Sequence, residues 1–151
     1  MANSIRENIL VKLKTLMEGL TGVGTVQRLR TSPIDNDVAF PALFIFEERE
    51  TITTKPSANM GQVYKNLFVT LQAWAIDEGG DVSVQINELL KNVEKRAMSN
   101  PTFDGLAIDT IPLETRNFIE VSSVKGEGYI GFEFDIQIQY RHTFYDPETA
   151  I

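Results

Sequence analysis

The sequence of 151 residues contains no cysteine and a single histidine. Without cysteine the chain has no disulfide, no thiolate-ligated zinc or iron–sulfur centre and no thiol nucleophile, and one histidine excludes a multi-histidine metal site. No apolar run approaches the ~18 residues that cross a bilayer. Near the N-terminus the apolar residues are spaced rather than continuous, which is not the layout of a signal peptide. This composition fits a protein made in a reducing cytoplasm.

Basic residues are also few. Lys and Arg total 14 against 21 Asp and Glu, for a formal net charge of -7, and residues 106–151 hold 3 basic and 8 acidic residues. A nucleic-acid clamp needs clustered Lys and Arg, so the composition argues against one. The simplest interpretation of the acidic C-terminal third is a solvated surface. The length predicts one domain, 1–151, with a sizeable core.

Two segments carry apolar residues at the three- and four-residue spacing of an amphipathic helix. The first, about residues 4–19, begins with Ser4-Ile5-Arg6-Glu7, a capping box in which each terminal side chain bonds the other's backbone amide. Three glycines in Gly19–Gly24 close this helix rather than open one, so they are not a phosphate loop. The second helix is capped by Asp81 and stops at Asn100-Pro101.

Strands are predicted where apolar and polar residues alternate, or where a short apolar run is bounded by turn residues. Val63–Ala75 points its odd-numbered residues at the core and three aromatics the other way. Tyr129–Phe144 alternates over sixteen residues, with an unbroken polar face. The predicted strands are Thr25–Leu29, Ala42–Phe46, Val63–Ala75, Leu106–Ile111 and Tyr129–Phe144, with Asn117–Val121 a further short extended piece.

The resulting order of elements is α, β, β, β, α, β, β. Two amphipathic helices need one apolar surface, and alternating strands offer one face each. We therefore expect an α+β fold, a two-layer sandwich in which a mostly antiparallel or mixed sheet carries both helices on one face.

Acidic residues and the histidine offer little catalytic chemistry. Glu133 and Asp135 lie two apart on one strand face, but nothing apolar on that face would desolvate either carboxyl as a general acid requires. His142 shares its strand with Asp135 on the opposite face, and no Ser or Thr stands in a nucleophile elbow. We predict no catalytic residue and no cofactor.

A run of acidic residues flanks Arg49. Consecutive strand residues point to opposite faces, so only Glu48 and Glu50 would converge there on a divalent cation. Carboxylates beside a basic residue are more typical of a charged strand edge, which protects a sheet from aggregation. No metal site is predicted.

The polar segment 47–62 is expected to form a long loop or hairpin. Loops of this size in compact domains are usually functional or disordered. The aromatic face of the following strand needs cover, from a partner subunit or from packing within the fold, since aromatic residues are enriched in interface cores.

The layout as a whole has six distinctive features. They are the amphipathic helix Ser4–Gly19, a strand opened by Phe40-Pro41-Ala42-Leu43-Phe44-Ile45, the polar segment 47–62, the strand Tyr64–Trp74, the second helix from Asp81 and a closing strand ending Gln139-Tyr140-Arg141-His142. In this order and texture the chain resembles the tail terminator proteins, also called tail completion proteins, of long-tailed bacteriophages.

The resemblance implies a structural virion protein that is made in the host cytoplasm and is not an enzyme. Such proteins form a ring, usually hexameric, at the head-proximal end of the tail tube. The ring stops tube polymerisation and provides the docking surface for the head connector. DNA passes through its centre without specific binding, and no membrane is involved.

This role assigns two candidate surfaces. Negative groups on the closing strand would suit a channel wall, because they repel phosphate. The candidate subunit or tube interface comprises Glu48, Arg49, Glu50, Lys55, Met60, Tyr64, Phe68 and Trp74, and the candidate channel-facing residues are Glu133, Asp135, Gln137 and Gln139.

Two alternatives remain. A neck or head–tail joining protein of the same phage class would share part of this layout. A small-molecule-binding α+β module or enzyme would instead require a pocket between helices and sheet, around Trp74 or His142.

Overall fold

The computed structural model describes residues 3–28, 38–54, 62–77, 82–121, 128–143 and 146–150. Two helices and six strands follow one another, which confirms the predicted α+β class. In chain order the elements are α1 (Ile5–Glu18), β1 (Thr25–Arg28), β2 (Ala42–Thr54), β3 (Gln62–Asp77), α2 (Val82–Ala97), β4 (Asp109–Val121), β5 (Gly128–Thr143) and β6 (Asp146–Ala150).

The strands form one mixed sheet in the order β1-β2-β3-β5-β4. Only β1 and β2 are parallel, and the other pairs are antiparallel. β4 pairs with β5 as far as Gln139, and β6 takes over the same side of β5 at His142. The short strand β6 was not predicted.

Both helices pack on one face of the sheet, as the sequence predicts. The core between the layers joins alternate residues of β3 and β5 to the apolar stripes of the helices. We call the sheet surface on the other side the open face. Fully buried side chains of the interlayer core include Ile9, Leu13, Leu71, Val93, Phe132 and Ile136.

Half of the predicted capping box is present at the start of α1. The Ser4 hydroxyl oxygen accepts a hydrogen bond from the Glu7 amide at 3.1 Å. The other half is wrong, because the Glu7 carboxylate instead accepts two bonds from Arg28 on β1, at 2.8 and 3.1 Å. At the opposite end, Arg96 of α2 donates to the Leu16 carbonyl at 2.9 Å. A cation there complements the negative end of the helix dipole.

The break predicted at Pro112 is continuous strand, since β4 runs through this residue. Proline is tolerated there because β4 is an edge strand, so the position where proline lacks an N–H can face away from β5. Residues 106–108 precede the strand as turns. In the segment predicted as a loop or hairpin, residues 47–54 continue β2 and pair with β3. Residues 55–61 of that segment lie outside the described residues.

Candidate interaction surface on the open sheet face

A bulge interrupts the pairing of β2 with β3. Glu47 pairs with Val69 and Arg49 with Phe68, so Glu48 is an extra residue. Glu47 faces the helix side like the odd-numbered residues before it, and Glu48 lines the open face. The insertion reverses the alternation from Arg49 onward, so Glu50 also lies on the helix side. The prediction that Glu48 and Glu50 converge is therefore wrong.

A second bulge interrupts β4. Pro112 pairs with Ile136 and Glu114 with Asp135, so Leu113 is the extra residue. Leu113 is 47% exposed.

These two bulges lie at the same level of the sheet. Val69 and Ile136, opposite the two irregularities, are directly paired in the centre. A bulge bends its strand and increases the local twist. Both extra residues, Glu48 and Leu113, line one groove of about 530 Å³ across the open face. We call it the twin-bulge groove.

One wall of the groove is a cluster of carboxylates around Arg116. This guanidinium donates to Glu133 and Glu114, each at 2.9 Å, and to Asp135 at 3.2 Å. The pKa of Arg116 is raised by its hydrogen bonds to Asp135 and Glu133. One cation thus serves three carboxylates, and the wall keeps an excess of negative charge.

The Asp135 carboxylate is held ionised within this wall. Burial alone would raise its pKa, but hydrogen bonds from Arg116 and Thr70 bring the pKa below its ordinary value. The Thr70 hydroxyl donates to it at 2.7 Å. Arg116 was missed by the sequence reasoning, because its partners follow only from the register of β4 against β5.

The opposite wall carries Arg49. Its guanidinium carbon lies 4.0 Å from the centroid of the Phe68 ring, a cation–π contact. Arg49 is exposed, and among the residues described no carboxylate is paired with it. Both residues were predicted as contact candidates, and the structure brings them together.

A row of amides borders the groove. Gln137 donates to the Asn66 side-chain oxygen at 3.0 Å, and Asn66 donates to Thr51 at 3.3 Å. Gln139 is half-buried beyond them on the same face. All four predicted channel-facing residues therefore lie on the open face, but Glu133 and Asp135 are shared with a cation rather than bare.

Aromatic residues cover the other end of the open face. Trp74 lies 4.6 Å from Phe118 and 6.0 Å from Tyr129, centroid to centroid, and Phe40 packs on Tyr129 at 5.2 Å. Trp74 is buried by its own chain. Its assignment as a subunit contact is corrected, because Phe118, not predicted to reach it, supplies the cover.

Glu50 is also removed from the candidate interface. It accepts a hydrogen bond from the buried Tyr140 hydroxyl at 2.6 Å and lies 3.6 Å from Lys65 and 3.7 Å from Arg6. Burial and this bond raise the pKa of Tyr140. Cations therefore compensate Glu50, and the described part of the chain contains no cluster of three or more metal-ligating side chains.

The remaining candidates separate into two groups. Tyr64 is half-buried on the open face, where its hydroxyl donates to Gln62 at 2.8 Å. Lys55 and Met60 lie outside the described residues.

The alternative of a small-molecule pocket was placed around Trp74 or His142. His142 is buried on the helix side of the sheet and Trp74 on the open side, so one pocket between the layers cannot use both.

No protein-family model matches the chain, and no curated protein matches it significantly in sequence. Neither helix of the described structure is long and apolar enough to cross a membrane. Function must therefore be inferred from the open face and from the resemblance in element order.

Proposed function

We propose that this protein is a structural subunit that assembles into a ring at the head-proximal end of a phage tail tube. The ring stops tube polymerisation and provides the docking surface for the head connector. The observation that carries the proposal is the open face, a sheet surface that neither of the two described helices covers, grooved between two bulges at one level. A surface of this kind suits assembly with other subunits.

The chemistry of the groove favours docking over catalysis. Its carboxylates share Arg116, and Asp135 stays ionised because hydrogen bonds lower its pKa. A general acid at neutral pH needs the opposite shift. Fixed charges in rigid rows are instead suited to recognising a complementary surface.

The open face is also the surface proposed to line the channel. Glu133 and Asp135 leave it with excess negative charge, and the neighbouring amides are tied to each other. A wall of this composition repels phosphate weakly and offers no cluster of free cations. DNA would slide past it without sticking.

The experiment combines two measurements on the purified protein. Light scattering and negative-stain images should give particles of six subunits with a central hole. Mixing with purified tube protein should cap the tubes and shorten them. Rings that leave tube length unchanged would instead indicate a neck or head–tail joining protein, and a persistent monomer without effect on tubes would refute the proposal.

A further inference from the structure

The strand directions suit a repeating contact between the two margins of the sheet. β2 is antiparallel to β3, β3 to β5 and β5 to β4. β2, whose outer side β1 covers only in part, therefore runs opposite to the edge strand β4. When copies are related by rotation about an axis along the strands, β4 of one copy meets β2 of the next in antiparallel orientation. A head-to-tail contact that repeats in this way closes into a ring when the rotation between neighbouring copies divides a full turn.

The uncovered stretches of the two margins lie at matching levels. β1 pairs with β2 only over Ala42–Ile45, so in the described sheet the free margin of β2 begins at Phe46. Following the register across the sheet, Phe46 is level with Thr70, Asp135 and Glu114 in turn. A ring without axial rise would bring the two bulged stretches side by side.

The same stretches each present both signs of charge on the open face, so opposite charges can face each other between copies. The β2 margin presents Glu48 and Arg49, which is stacked on Phe68, and the β4 margin presents Glu114 and Arg116, which is shared with two other carboxylates. Within one copy Arg49 and Glu114 are three strand spacings apart, about 14 Å, too far to pair. Between copies Arg49, which the register places level with Ile111, would lie two register positions from Glu114, a diagonal distance that long side chains can span.

We propose that Arg49 of one copy pairs with Glu114 of the next, with the exposed Leu113 packed at the same junction. This inference rests on the proposed ring and identifies the contact that closes it. Side chains carry the contact, because Pro112 lacks an N–H and interrupts any continuous ladder between copies. Residues 112–117 are all exposed.

Charge reversal tests the pair directly. R49E and E114R, each prepared alone, place like charges at every junction, so we expect the concentration at which rings dissociate to rise at least about tenfold. In a mixture of the two variants, each junction again joins opposite charges. Rings should therefore reappear, with the two chains alternating. Combining both changes in one chain should restore assembly as well.

The control is K12E, which reverses one member of the exposed Lys12–Asp104 pair on the helix side. It should assemble like the unaltered protein. Circular dichroism melts establish that each variant is folded, and the mixing result is independent of small stability losses. Assembly by both single variants, or a mixture that does not recover, would overturn the pairing while leaving the ring proposal intact. An unaltered protein that stays monomeric and has no effect on tubes would instead defeat the proposed function itself.

Discussion

The Phe118 ring fills the space that a side chain on Gly131 would occupy. The two residues are paired across β4 and β5, and a Cβ built on Gly131 would lie 2.6 Å from the ring and 2.0 Å from the Ala73 carbonyl oxygen. Glycine therefore allows Phe118 to cross β5 and contact Trp74.

From this contact we expect G131A to destabilise the protein by about 1–3 kcal/mol, the usual cost of overpacking. Denaturant unfolding monitored by Trp74 fluorescence would measure it. Q139A, on the same strand and face, should change stability much less. Equal stability of G131A and the unaltered protein would contradict the close approach.

Removing the cation from the carboxylate wall should give a pH-dependent defect. The pKa of Asp135 is lowered in the folded state, so its stabilising contribution is present above its unfolded pKa, about 4, and is lost as the pH falls through the folded value. We expect R116M to cost about 1 kcal/mol at pH 7, a modest figure because Arg116 is 42% exposed.

The deficit of R116M should shrink below pH 4, as the carboxylates protonate in both proteins. Chemical denaturation at several pH values would follow it. R116K retains the charge without the fork geometry and should lose less. A deficit that is constant with pH would argue against the charge explanation.

The stabilisation that the Glu7–Arg28 pair provides on the helix side should also decrease as the pH falls. Hydrogen bonds from Arg28 lower the pKa of Glu7, so the pair stabilises the fold above the unfolded Glu7 pKa and fades as the pH falls through the folded one. E7Q should cost about 0.5 kcal/mol at pH 7, since Glu7 is 41% exposed. S4A removes the helix cap and should cost about 1 kcal/mol at any pH. Thermal melts of both variants between pH 3 and 7 would separate the two effects.

A positively charged channel wall should retain DNA. E133K combined with D135K makes the open face basic, and phosphate would then bind it. We expect slower release of DNA from assembled particles, measured by dye fluorescence during triggered ejection. E88K, on an exposed turn of α2, is the matched control. Unchanged ejection kinetics in folded, assembled particles would show that this face does not line the bore.

The helices and long strands could be predicted because the spacing of apolar residues along the sequence indicates each of them. The alternation of β5 assigns Glu133 and Asp135 to one face, and Ser4 marks the start of α1. Such patterns are local and survive without knowledge of the neighbouring strands.

Features that depend on register could not be predicted in this way. The bulge at Glu48 moves Glu50 to the helix side, although the local alternation gives no sign of it. Arg116 reaches its carboxylates, and Phe118 reaches Trp74, only because β4 pairs with β5. Pro112 suggested the end of a strand, because the sequence does not show that β4 is an edge strand, where proline is tolerated.

The aromatic cover over Trp74 and Tyr129 occupies only one end of the open face. The two ends of the subunit along the strand direction therefore differ, with an apolar aromatic cluster at one end and the β2–β3 hairpin at the other. In a ring every copy would point the same way, so its two rims would present unlike chemistry. A coupling piece that holds a tube on one side and a connector on the other needs that asymmetry, and a symmetric sheet could not supply it.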